Sequence, residues 1–154
     1  MNLLDCGTIV LSVDGRKIDV KIPAGIEDGK KLRLAGQAPN GGDITVKIKV
    51  QPHPWFRREG KNIEIDLPIS IREAILGGKV EVPTLDGRRV DLKIRPGTSS
   101  GSKSRLPGFG IAGGDMFVVF KIVVPKGTAN EETQKMIEEY DRTHLFDPRA
   151  DVPW

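Results

Sequence analysis

Apolar and polar residues alternate along most of this chain, in short runs broken by glycine. Ile18, Val20 and Ile22 form one run, Leu32 and Leu34 a second, and Ile44, Val46, Ile48 and Val50 a third. A period of two predicts strands with one buried face. The breaks are Asp14-Gly15, Gly25, Gly29 and Gly41-Gly42-Asp43, turn signals because glycine accepts positive φ without a steric penalty. A strand over residues 8–13 precedes these runs, and the alternating stretch 62–68 predicts another. Residues 80–82 and 89–94 predict a hairpin around Thr84-Leu85-Asp86-Gly87. Keeping Val80 and Val82 on the face of Val90 requires a three-residue loop with Gly87 left-handed. Residues 116–124 are the longest apolar run and the expected most buried strand, ended by Pro125.

Two segments carry a helical signature instead. Ser70 with Glu73 three residues on forms a capping box, and Gly77-Gly78 stops the helix after about two turns. Ala74, Ile75 and Leu76 give it an apolar side to lay on a sheet. Residues 130–141 predict a second helix capped by Asn130, with acidic residues in the first turn to suit the dipole. Met136, Ile137 and Tyr140 make one apolar stripe, and the tail adds Leu145, Phe146 and Trp154.

The glycine punctuation is itself repeated. Residues 14–49 align with 86–121 at a constant offset of 72 without a gap, and 17 of the 36 positions are identical. The chain is therefore internally duplicated, and each copy reads as about four antiparallel strands. The fold expected is mainly β: two tandem sandwich-like subdomains of similar topology, each with a short helix at most, then a C-terminal helix. The boundaries expected are 1–60, 61–127 and 128–154. Residues 52–61 read as the exit from the first subdomain. The first copy begins in mid-pattern, so it is expected to lack strands that a longer parent chain would supply.

A length of 154 residues suits two small cores, and 38% hydrophobic with 29% charged residues describes a globular chain. The longest apolar run is far too short to span a membrane, and the start has no basic-then-apolar signal pattern. The single cysteine, Cys6, forbids an internal disulfide and a cysteine zinc cluster, which implies a reducing, cytoplasmic setting. The net charge is +3, with Lys and Arg alternating with apolar residues as on a solvated sheet face. DNA binding stays open on charge alone.

The residues of catalysis are not arrayed. His53 lies in a Pro-rich stretch and His144 in the tail, without a nucleophile or metal partner nearby in sequence. Gly108-Phe109-Gly110-Ile111-Ala112-Gly113 fits a dinucleotide fingerprint, but a strand follows where a helix is required. The first copy has Gly36 and Gly41 at matching places, so these glycines belong to the repeat. No enzyme, metal or cofactor is expected.

Three stretches together carry a family resemblance: VKIPAGIEDGKKLRLAGQA, GGDITVKIKVQPHPWFRREGKNI, and ISIREAILGGKVEVPTLDGRRVDLKI. They resemble the C-terminal substrate-binding domains of DnaJ-type co-chaperones, through H-P-x-F-x-R-x-G, E-A-x-x-G-G, V-P-T-L-D-G and the G-D before each last long strand. The ending LFDPRAD is similar to that of the curved-DNA-binding branch. An HPD tripeptide, a Gly/Phe-rich linker and a cysteine-rich zinc module are missing, which points to the zinc-less subtype. The chain looks like a fragment starting inside the first C-terminal domain. Stimulation of a partner ATPase is a J-domain task, so it is not expected here.

The resemblance implies a groove for unfolded client segments on the first domain, dimerisation by the C-terminal region, and delivery to a heat-shock ATPase chaperone. The client-binding candidates are Ile9, Val10, Leu11, Val13 and Phe56. A three-residue loop at Asp14-Gly15 would turn Ile9, Leu11 and Val13 away from Ile18 and Val20, whereas a two-residue loop leaves only Val10 outside. The dimerisation candidates are Met136, Ile137, Tyr140, Leu145 and Phe146. The expected partners are client polypeptides, the ATPase chaperone and a second copy, with DNA as the alternative and no membrane.

Overall fold

The computed structural model describes residues 7–23, 25–127 and 129–151, so Cys6 and Trp154 lie outside the described residues. The chain divides into two units, one ending at Val123 and one beginning at Val124. Among the described residues the first unit holds ten strands, one short helix and two core clusters, both touched by Val50, and the second holds a single helix.

The smaller core lies between two hairpins. β1 (Gly7–Val13) pairs with β2 (Arg16–Ile22), and β3 (Lys31–Leu34) with β4 (Ile44–Lys47), both antiparallel. Val20, Ile22, Ile26 and Ile48 are buried there, with Leu11, Ile18, Leu32, Leu34 and Val46 packed against them. The larger core lies between a four-stranded sheet and a hairpin. The sheet runs β5 (Phe56–Glu59), β6 (Asn62–Ile69), β10 (Met116–Ile122), β9 (Lys103–Leu106), and the hairpin is β7 (Gly78–Pro83) with β8 (Arg89–Ile94). Ile63, Ile65, Met116, Val118 and Phe120 from the sheet meet Val82, Leu92 and Ile94 from the hairpin. The fold is mainly β with a C-terminal helix, as expected.

The duplication is structural as well as textual. β3 and β9 begin 72 residues apart, as do β4 and β10. In each copy the Gly-Gly-Asp carboxylate closes the turn. Asp43 accepts from the Gly36 amide at 2.9 Å and pairs with Arg33. Asp115 accepts from the Gly108 amide at 3.0 Å and pairs with Arg105. The amide bond first, and the guanidinium with it, hold both carboxyls below the usual carboxylate range.

The two copies differ in their hairpin loops. Val13 pairs with Arg16, so Asp14 (φ 47°) and Gly15 (φ 80°) form a two-residue turn, the primed type that positive φ at both positions allows. The second hairpin has the three-residue loop expected: the Thr84 amide donates to the Arg88 carbonyl at 2.8 Å, and Gly87 is left-handed. Asp86 sits inside that loop, where Arg88 and then Thr84 lower its pKa.

Three expectations need correction. Pairing is not wholly antiparallel: β10 lies parallel to β6, with Met116 opposite Ile63 and Phe120 opposite Leu67. The stretch 52–61 is more than an exit, because β5 pairs with β6 in the second sheet. The helix α1 (Ile71–Leu76) has its full capping box and stops at Gly77, but only Ala74 is buried, while Ile75 and Leu76 are exposed. A six-residue helix sets one side chain against the core. Its last carbonyls are satisfied by the Gly97 and Thr98 amides. The apolar run at 116–124 does form the most buried strand, though β10 ends at Ile122 and leaves Val123 and Val124 exposed.

Candidate functional site

β1 is a sheet edge. Among the described residues its only strand partner is β2, so one side of its backbone offers donors and acceptors with no ladder to meet. The two-residue turn decides which side chains face where. Ile9 lies opposite Val20 and Leu11 opposite Ile18, on the core face, whereas Val10 lies opposite Asp19 and points outward. Leu11 packs against the smaller core and Val13 is half-buried. Ile9 is 37% exposed although it shares the core face, and Val10 is 58% exposed on the other. The edge therefore carries an accessible apolar group on each side of an open backbone rail.

Phe56 does not belong to this edge. It is 5% exposed and packs in the larger core, opposite Ile65. A buried ring offers no surface to a client. The motif around it is a joint. His53 accepts through Nδ1 from the Trp55 and Phe56 amides at 3.2 and 3.4 Å, which shapes the turn into β5. Arg58 donates to the carbonyls of Gly25 and Ile26, each at 2.7 Å, and of Gly60 at 2.8 Å. A cleft of about 470 Å³ lies along this joint, bordered by Glu27, Asp28, Val50 and His53. Sequence reading missed Arg58, although its place in H-P-x-F-x-R-x-G was the available signal.

The helix α2 (Glu131–Thr143) is capped by Asn130, whose Oδ1 accepts from the Thr133 amide at 2.8 Å. None of its residues is buried. Met136, Ile137 and Tyr140 are exposed, as are Leu145 and Phe146 beyond it. Tyr140 stacks on His144 with ring centroids 4.2 Å apart, so the two rings extend the stripe to the helix end.

Some of the basic residues are engaged in ion pairs. Arg57 reaches Glu64 and Asp66, each at 2.7 Å, and Lys103 reaches Glu64. Lys79 pairs with Asp91, and Arg89 with Glu81. Lys93, Arg95, Lys103 and Arg105 border one polar groove, but Lys103 and Arg105 are already paired there. Among the described residues no group of three or more His, Cys, Asp or Glu could hold a metal ion, and no helix is long and apolar enough to cross a membrane.

The described residues form a duplicated β scaffold with open strand edges. Its sequence places it: residues 8–125 match the DnaJ C terminal domain, and the chain belongs to that family. It is 44% identical over 147 residues to "Chaperone protein DnaJ 2" of Corynebacterium efficiens, covering 88% of this chain and 37% of that relative. It is 38% identical over 160 residues to "Curved DNA-binding protein" of Coxiella burnetii, covering 97% and 50%. It is 40% identical over 139 residues to "Chaperone protein DnaJ" of Geobacillus thermodenitrificans, covering 82% and 36%. The chain thus spans half or less of the length of these relatives.

Proposed function

We propose that the chain is the client-holding and self-associating part of a co-chaperone. It takes extended segments of non-native polypeptides along β1, for delivery to a heat-shock ATPase chaperone, and pairs with a second copy through α2 and the tail. The carrying observation is the edge of β1, which has no strand partner among the described residues and exposes Ile9 and Val10 on its two faces. Strand addition supplies sequence-tolerant affinity through the backbone, and apolar contacts choose side chains. Burying about 200 Å² of apolar surface would give roughly 5 kcal/mol before ordering costs. Binding is then weak and reversible, as handing on a client requires. Two such edges in one dimer raise avidity through effective concentration. In this reading residues 1–60 hold the client, 61–127 support them and 128–154 dimerise. Two relatives named as chaperone proteins support it.

The structure sharpens the test. Leu11→Asp would place a charge against the core, whereas Val10→Asp changes an outward side chain. Wild type is expected to sediment as a dimer and to suppress aggregation of a denatured substrate. Val10→Asp should lose the suppression with its melting temperature unchanged. Ile137→Asp should sediment as a monomer and hold the client about tenfold or more weakly. Full suppression by Val10→Asp would remove the β1 groove, and a monomeric wild type would remove the dimer.

A second reading, DNA binding, is favoured by the name of the Coxiella burnetii relative and by the groove bordered by Lys93 and Arg95. Duplex DNA should then be retarded at low salt, with affinity falling steeply as salt rises. A flat salt response would exclude it.

A further inference from the structure

The two copies of the repeat build one loop on the same backbone and give it different chemistry. In the first copy the Gly29 amide donates to the Ile48 carbonyl and the Ile48 amide to the Lys30 carbonyl. In the second the Gly101 amide donates to the Phe120 carbonyl and the Phe120 amide to the Ser102 carbonyl. A side-chain tie is kept as well: Asp28 Oδ1 accepts from the Val50 amide at 2.8 Å, and Ser100 Oγ accepts from the Ile122 amide at 3.2 Å. The side chains on this shared loop differ. Ile26 and Leu32 belong to the smaller core, whereas their counterparts Thr98 and Ser104 are half-buried hydroxyls. Glu27 and Asp28 are matched by Ser99 and Ser100, and Pro23 by Arg95.

The exchanges accompany a groove of about 610 Å³ between β8 and β9. Lys93, Arg95, Lys103 and Arg105 line it, and no carboxylate does. Lys103 and Arg105 share their charge with Glu64 and Asp115 outside the groove, while Lys93 and Arg95 form no ion pair among the described residues. Thr98 Oγ1 donates to the Arg95 carbonyl at 2.5 Å, which fixes the loop at the groove wall. The Ser99 and Ser104 hydroxyls make no hydrogen bond among the described residues, which leaves them for a ligand. In the first copy the sign is reversed: Glu27 and Asp28 border the cleft that Arg58 enters. Basic residues on an edge strand also guard it against stray pairing. That task needs charge alone. It does not require giving up apolar side chains at 98 and 104, which forfeits buried apolar surface. A packing rule broken at one place in a repeat marks a site. Guanidinium, ammonium and hydroxyl donors without a competing carboxylate suit phosphate oxygens. The one ring that lines the groove, Phe120, is buried, so no base can stack there.

We infer that the groove between β8 and β9 binds a short run of linked phosphoryl groups, an oligophosphate, through Lys93, Arg95 and the Ser99 and Ser104 hydroxyls. This requires neither client holding at β1 nor duplex DNA. The probe is inorganic tripolyphosphate, titrated into the full chain by calorimetry at about 0.15 M salt, where distant surface charges are screened. Wild type should bind it saturably. The double variant Lys93→Gln, Arg95→Gln should bind about tenfold or more weakly with an unchanged melting temperature. Ser104→Leu, which restores the first copy's residue, should also weaken binding without lowering the melting temperature. Arg16→Gln, on the first hairpin, should bind as wild type does. ATP distinguishes two sources of the phosphoryl run: affinity equal to that of tripolyphosphate assigns the groove to a nucleotide's tail, and lower affinity to the inorganic chain, and either upholds the site. Unchanged affinity in the double variant, an equal loss in Arg16→Gln, or equal displacement by sulfate at matched ionic strength would each overturn the inference. So would the absence of saturation up to about 1 mM tripolyphosphate. Retardation of duplex DNA without any binding of tripolyphosphate would overturn it and leave the DNA reading standing. The double variant should still suppress aggregation, so failure here and failure of the β1 reading are separable.

Discussion

Gly114→Ala is expected to disrupt the larger core, at a cost of about 3 kcal/mol or more. The φ at Gly114 is not the reason, because its backbone is open to any residue. The reason is space: the new methyl would lie 2.1 Å from the Lys61 carbonyl oxygen and 2.6 Å from its carbon, which are rigid backbone atoms. Relief requires moving the start of β6 away from β10. That motion breaks the Ile111–Lys61, Ile63–Asp115 and Asp115–Asn62 hydrogen bonds, all between 2.7 and 3.0 Å. These bonds set the register in which Ile63 and Met116, both fully buried, lie opposite one another. Gly113→Ala provides the internal control. Gly113 has φ 83° and open space around its missing Cβ, so only left-handed strain is at issue, about 1–2 kcal/mol. Urea denaturation should rank the two variants far apart. Equal midpoints, or a Gly114→Ala midpoint within error of wild type, would show that the strand approach is looser than the geometry requires.

The fold was legible where the sequence encodes local chemistry. Period-two runs, the Ser70–Glu73 capping box, the Asn130 cap and the glycine-bearing loop at Gly87 all took the forms their residues dictate. The 72-residue offset gave the two Gly-Gly-Asp turns, although the Arg33 and Arg105 partners and the Gly36 and Gly108 amides became visible only in three dimensions. What escaped is pairing at long range. Alternation in residues 62–69 and 116–122 states that both are strands, but not that they lie side by side and parallel. Phe56 was misread for a related reason. Proline-rich flanks suggest exposure, whereas burial there is decided by a sheet completed some 60 residues later.

The candidate site divides in the same way. That Ile9, Val10, Leu11 and Val13 form an apolar strand is plain in the sequence; which of them faces outward hung on one residue of loop length. Two residues at Asp14-Gly15 put Leu11 inward and Val10 outward.

Arg58→Ala is expected to loosen the smaller core while leaving the larger one folded. One guanidinium holds three carbonyls at 2.7–2.8 Å, two of them at Gly25 and Ile26, and Ile26 is itself part of the smaller core. Hydrogen bonds to a charged donor contribute about 1.5–3 kcal/mol each when water is kept away, and Arg58 is half-buried. Discounting for that exposure, the loss should be about 3 kcal/mol. The geometry predicts that lysine cannot substitute. A single ammonium cannot reach three acceptors that a planar fork spans, so Arg58→Lys should recover little. Hydrogen exchange resolves where the effect falls. Amides of Val20, Ile22 and Ile48 should exchange faster in Arg58→Ala, while those of Ile63, Val118 and Phe120 stay protected. If β1 holds clients, the same variant should also weaken holding, although Arg58 lies outside that edge, because Leu11 and Ile18 keep β1 in place only while the smaller core is packed. Wild-type exchange at Ile22 and Ile48 in Arg58→Ala, or full recovery by lysine, would show that the joint is held by its apolar contacts, such as Gly25 against Ile111, and not by the guanidinium.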